Sequence, residues 1–159
     1  MTTTAAAPST RTSRLDLDTL VPRVGRAMNS LDAAAATGLD RSLMELVRTH
    51  ASQINGCAYC IDMHTKDARA NGETEQRLYA LPAWRETPYF TEAEQAALAL
   101  TESITRLPDA GVPDDVFDRA AAAFAETELA QLISLIVTIN AWNRIGVATR
   151  AWVPGSYQP

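Results

Sequence analysis

Residues 52–72 read SQINGCAYCIDMHTKDARANG and hold both cysteines of the chain, Cys57 and Cys60, with one of its two histidines, His64. A C-x-x-C pair is a redox couple, half of a zinc site, or two core thiols. The flanks decide the fold around it. A thioredoxin-type pair needs a βαβ context, yet both flanks here carry helical punctuation. Upstream, Leu43, Met44, Leu46 and Val47 follow Asp40, a residue suited to capping a helix start. Asn55-Gly56 stops that helix, a second opens at Cys57, and Asn71-Gly72 closes it.

Away from this stretch the pattern stays helical, and no segment alternates with a period of two. A helix is expected over 20–36, with Pro22 in its first turn and Gly38 beyond its end. A short one covers 73–80, and 82–90 reads as irregular. Thr91 and Glu94 form a T-x-x-E capping box that opens a helix to about residue 107. Residues 108–113 form a loop. Asp114 and Asp115 start the next helix, where their charge suits the macrodipole. The last helix spans 128–148. The expected architecture is all-α, with six or seven helices and the C-x-x-C at the start of a helix in an antiparallel pair. Residues 1–14 read as a disordered leader, 15–153 as one helical domain and 154–159 as a C-terminal tail.

The 159-residue chain is long enough to bury a core without staples. Its net charge of −5 disfavours a nucleic-acid partner, which would need a basic face to meet phosphates. The small, polar leader lacks the apolar run of a signal peptide, and the most apolar stretch, 129–147, is interrupted by polar residues. No membrane association is expected. A bacterial cytoplasmic location follows from these features and from the alanine-rich, lysine-poor composition. In a reducing compartment a permanent disulfide is disfavoured, so cycling or metal-binding cysteines are the better starting point.

Position along the helices brings in further groups. Cys57 and Cys60 share one face of a helical turn, and His64 lies one turn beyond Cys60 on the same face. A neutral imidazole there can take a thiol proton. If Asn55-Gly56 folds the two helices antiparallel, Glu45 and His64 rise roughly 15 and 12 Å from the turn, at about 1.5 Å per residue. Glu45 then stands level with His64 and can orient it, making a Glu45–His64–Cys60 relay with Cys57 beside it.

Glu45, eleven residues, then Cys57-x-x-Cys60-x-x-x-His64 resembles the core motif of the alkylhydroperoxidase D family, within the carboxymuconolactone decarboxylase-like superfamily. Ser52, Asn55, Gly56 and Tyr59 sharpen the match. It extends through EQRLYALPAWRETPYFTEAEQAALALTESITRL and INAWNRIGVATR, about residues 15 to 153. The resemblance implies an all-helical homo-oligomer with thiol peroxidase activity of the alkyl hydroperoxide reductase type. It implies that Cys60 attacks the peroxide, Cys57 resolves the sulfenic acid as a disulfide, and His64 with Glu45 moves the proton. No tightly bound cofactor or metal is implied. The electron donor would be an external dithiol, in some members a lipoyl group on an adaptor protein. Some members carry a second histidine before the nucleophile, where this chain has Tyr59, a phenol and a poor base at neutral pH.

Other readings stand beside this one. The pair could serve a disulfide reductase that passes electrons to a peroxidase, or be incidental in a non-catalytic assembly module. A lactone decarboxylase of the same superfamily would leave the cysteines unexplained. Zinc would need Cys57, Cys60 and His64 with a fourth ligand such as Glu45. Tyr59, Trp142 and Asn143 are candidate pocket residues, with Arg144 beside them. Trp84, Tyr89 and Phe90 are candidates for covering the site or a neighbouring subunit. His50 points away from the face of Glu45 and reads as structural or surface.

Overall fold

The computed structural model of the chain describes residues 12–159. Most of the expected leader, residues 1–11, lies outside the described residues; Arg14 at its end donates its backbone N–H to the carbonyl of Thr149 at 2.8 Å. Nine α-helices and one 3₁₀ segment follow in order, with no strand among the described residues. They are α1 (Leu17–Leu20), α2 (Pro22–Ala35), α3 (Arg41–Asn55), α4 (Ala58–Ala70), α5 (Glu75–Ala80), the 3₁₀ segment Leu81–Glu86, α6 (Glu92–Thr105), α7 (Leu107–Ala110), α8 (Asp114–Ala123) and α9 (Glu126–Thr149).

The expected caps are formed. Asp40 accepts from Leu43 N at 3.0 Å and starts α3. Thr91 and Glu94 make the reciprocal capping box of α6. Such a cap contributes about 1 kcal/mol. The helix expected over 20–36 is α2, and the single turn α1 stands before it. Pro22 forces Val21 out of the helical region, to φ −134° and ψ 64°, so α1 ends before it and α2 begins with the proline. The stretch expected to be irregular, 82–90, starts inside the 3₁₀ segment and kinks at Ala83. The loop expected over 108–113 begins as the single turn α7.

Helices α3, α6 and α9 form the centre. Val47, Leu100, Leu132, Leu135 and Ile136 pack there with almost no exposure. By length and composition α9 is the one described helix that could cross a membrane. Leu129, Leu132, Leu135, Ile136 and Ile139 are buried, while Val137 and Val147 are exposed. A second cluster joins Leu46, Leu81, Trp84, Phe90 and Leu98. Trp84 and Phe90 therefore do not cover a site; they are core residues that seat the 3₁₀ segment against α3 and α6. Tyr89 between them is exposed.

Helices α3 and α4 pack side by side in opposite directions. The turn between them is tight because Gly56 adopts φ 67°, a left-handed conformation that costs other residues more. The N–H groups of Gly56 and Cys57 return to the carbonyls of Gln53 and Ser52, as in a Schellman turn. Cys57 is thereby delivered directly to the N-cap of α4.

Candidate active site

Cys57 caps α4 and Cys60 stands in its first turn, each only 2% exposed. Neither is in a disulfide, and their sulfurs lie 2.8 Å apart as a hydrogen-bonded thiol pair. Their acidities diverge. The Cys57 thiol is pulled down to about 7, first by the hydrogen bond with Cys60 and, against the cost of burial, by the backbone N–H groups of Cys60 and Tyr59 and by Asn143. Cys60 moves up, because the bond to Cys57, burial and the neighbouring thiolate all oppose a second charge. The backbone N–H groups at the helix N-terminus favour negative charge on Cys57 over Cys60. Ultraviolet thiolate absorbance of the reduced protein is expected to show one thiolate forming as pH rises through about 7. The second should stay protonated across the neutral range. Two thiols titrating together at the ordinary value of 9.0 would contradict this.

Asn143, fully buried on α9, holds the C-terminal end of α3, from which the turn leads into α4. Its amide donates to Ser52 Oγ at 3.0 Å, and its carbonyl accepts from Asn55 at 2.9 Å. Asn55 also donates to Asn140 at 2.9 Å. Arg144 turns back onto Asn140. Gly146, one turn beyond Asn143, matters for its lack of a side chain: a Cβ there would stand 3.2 Å from both Cys57 Sγ and the Trp152 ring.

The levels inferred for Glu45 and His64 are met. Glu45 Oε2 and His64 Nδ1 lie 2.9 Å apart, with both side chains buried. Burial opposes ionisation of Glu45, but the hydrogen bond and charge of His64, with Arg48, hold its carboxyl below the usual range. Arg48 extends the chain of charges, donating to Glu45 Oε1 at 3.1 Å and to Asp32 at 3.0 Å. His64 and Cys60 open onto one cavity of about 260 Å³, also lined by Tyr59 and Trp142; Cys57 does not reach it. Burial, with the charges of Asp62 and Asp67, raises the Tyr59 phenol, so it remains a neutral donor.

Several groups here were not singled out from the sequence. Arg48 had a visible signal, since it sits three residues after Glu45 on the same helical face. Asp32 and Trp152 had none, because their contacts span long stretches of chain. The C-terminal segment is a clasp on α4: Gly155 N donates to Asp62, Lys66 to the Tyr157 carbonyl, and the Tyr157 hydroxyl to Asp67 at 2.7 Å. His50 lies elsewhere. It is buried between Glu102, at 2.9 Å, and Gln53, a structural role.

Metal ligation would have to compete with these bonds. Glu45, His64 and Asp67 place ligand atoms within 4.8 Å of one another. Both oxygens of Glu45 and one of Asp67 are already engaged by His64, Arg48 and Tyr157. The convergent set does not include either cysteine sulfur, so the four ligands considered for zinc do not come together.

Residues 22–103 match the carboxymuconolactone decarboxylase family, a span that holds Glu45, Cys57, Cys60 and His64. The chain belongs to this family. Within it the chain is AhpD-like. It is similar to the uncharacterized protein YdfG of Bacillus subtilis, 46% identical over 112 residues, spanning 70% of this chain and 76% of that one. Among solved structures it is similar to a protein of unknown function from Agrobacterium tumefaciens, provisionally described as the antioxidant defence protein AhpD. That likeness has a TM-score of 0.86 and 35% identity, and it covers 90% of this chain and 99% of that chain. A structure of the debrominase Bmp8, a cysteine-to-alanine variant in complex with 2,3,4-tribromopyrrole, shares the fold, with a TM-score of 0.76 and 19% identity over 85% of this chain and 73% of that one. Trp142, Asn143, Gly146 and Trp152 lie outside the span that defines the family match.

Proposed function

We propose that this family member is a thiol peroxidase that reduces organic hydroperoxides through Cys60 and Cys57. One observation carries the reading: Cys60 opens onto a cavity shared with His64, while a second sulfur waits 2.8 Å behind it. Cys60 reaches its thiolate form by passing its proton to Cys57. It then attacks the outer peroxide oxygen, the O–O bond breaks, and the leaving alkoxide takes a proton from the His64–Glu45 pair and departs as an alcohol. Cys60 is left as a sulfenic acid. Cys57 attacks that sulfur, the S–O bond breaks, and the oxygen leaves as water. An external dithiol restores both thiols and becomes a disulfide itself.

The deep burial of both sulfurs favours a slender donor, such as a dithiol on a lipoyl-like arm, over the flat face of a folded protein. The cycle suits a reducing compartment, and we place it in the bacterial cytoplasm. A homo-oligomer accords with the exposed apolar side chains Leu20, Val24 and Leu31 along α1 and α2. Against the disulfide-reductase reading stands the cavity itself, which such a relay would not need. A decarboxylase would not need the paired sulfurs.

Mass spectrometry of the reduced protein after one equivalent of an organic hydroperoxide tests the reading. The expected product is an internal Cys57–Cys60 disulfide, with release of the alcohol and recovery by added dithiol. Peroxide consumption no faster than that by free cysteine would refute it.

A further inference from the structure

The cavity above Cys60 has an aromatic wall. It is assembled from three separate parts of the chain: Tyr59 on α4, Trp142 on α9 and Trp152 beyond the end of α9. The Trp152 ring sits 5.6 Å from that of Tyr59 at 35°, and 5.7 Å from that of Trp142 at 66°. All three rings are half-buried, so each keeps surface that the protein does not cover. The position of Trp152 is set from two sides. Gly146 leaves room for the ring against α9, and the clasp at Gly155 and Tyr157 fixes the following chain to α4. Elsewhere the lining includes Asp18, Asn29, Asp32 and Met63. Asp32 is paired with Arg48, whereas among the described residues no Lys or Arg forms an ion pair with Asp18.

We propose that this cavity selects uncharged hydroperoxides bearing an aromatic ring. The ring lies against Trp142 and Trp152, and the peroxide group points at Cys60. The inference rests on the peroxidase reading and specifies its substrate class. An apolar cavity of about 150 Å³ is enough for benzene. A cavity of about 260 Å³ therefore takes one ring with a short branched substituent and its peroxide group. Ring-on-ring contact adds to the attraction that the buried area supplies. The aspartates in the lining disfavour fatty-acid hydroperoxides, whose own carboxylate would meet like charge. The reaction balances as above: the aryl-alkyl hydroperoxide leaves as its alcohol, and Cys60 and Cys57 become a disulfide with loss of water.

Cumene and tert-butyl hydroperoxides test this, since both are tertiary and differ by a ring in place of a methyl group. With dithiothreitol as donor, kcat/KM for cumene hydroperoxide is expected to exceed that for tert-butyl hydroperoxide by about tenfold or more. Linoleic acid hydroperoxide should fall below both. In Trp152→Leu the ratio of the first two should collapse toward one. A second measurement needs no turnover. Cumyl alcohol is expected to slow alkylation of Cys60 by iodoacetamide, where tert-butanol at equal concentration does not. Turnover without ring preference or protection would overturn the inference and leave the peroxidase reading standing. Protection without any peroxide turnover would do the reverse, and neither effect would sink both.

Discussion

Cys60→Ser is expected to bring peroxide turnover to the uncatalysed rate, whereas Cys57→Ser, which loses the resolving sulfur and the acceptor of the Cys60 proton, is expected to consume a single equivalent of peroxide slowly and stop. The two sulfurs are equally buried and adjacent, so the asymmetry comes from what each one faces. Cys60 meets the cavity, and Cys57 faces the backbone N–H groups at the start of α4 and the wall of α9. Acidity alone would reverse the roles, because the lower pKa belongs to Cys57. Access decides, since a thiolate that peroxide cannot touch does not react with it. In the Cys57→Ser protein, mass spectrometry should find a sulfenic acid at Cys60. It should persist until a thiol is added, because its resolving partner is gone. If Cys57→Ser were instead inert in the first turnover and Cys60→Ser retained it, the attacking sulfur would be Cys57.

The second large effect separates two pairs that look alike. The chain holds two buried histidine–carboxylate contacts of 2.9 Å, His64 with Glu45 and His50 with Glu102. Only the first borders the cavity. Glu45→Gln removes the charge that orients His64 and supports its proton transfer, and should lower kcat/KM about a hundredfold or more. The amide still fills the space, and Arg48 keeps Asp32, so the fold should survive. Glu102→Gln should leave turnover intact and act on stability. Burial opposes the charge of Glu102, but bonds from His50, Trp84 and Arg85 outweigh it and bring its pKa down to about 2. A carboxyl depressed in this way stabilises fully above its ordinary value of 4.5, and loses that contribution as pH falls toward about 2. Acid titration of the folded protein should therefore show a limb in that window which Glu102→Gln lacks. At neutral pH the variant should lose about 1–3 kcal/mol, the cost of ill-matched buried partners. A loss of activity in Glu102→Gln equal to that in Glu45→Gln would remove the distinction.

These contrasts mark which parts of the molecule can be read from the chain alone. Asp40, Thr91 with Glu94 and Asn55-Gly56 are legible because each acts on neighbours within a few residues. The Glu45–His64 contact is legible because one turn and two regular helices carry its geometry. The single turn α1 before Val21 is not legible, because four residues are too few to show a periodic pattern. Contacts made across the fold leave no such trace. Trp84 and Phe90 sit in an irregular stretch, where aromatic side chains resemble a lid, and the core takes them because α3 and α6 leave a gap there. Trp152 and Asp32 reach the cavity only through the packing of distant segments.

Gly146 carries a lesson for anyone altering this protein. Glycine inside a helix is a standard target for stabilisation, since alanine there gains roughly 0.5–1 kcal/mol. In α9 the same exchange would set a methyl group against Cys57 Sγ and the Trp152 ring. A variant chosen for higher melting temperature would then be selected against its own sulfur chemistry. The room that glycine leaves, filled by Cys57 Sγ and the Trp152 ring, belongs to the reactive centre as much as any side chain does.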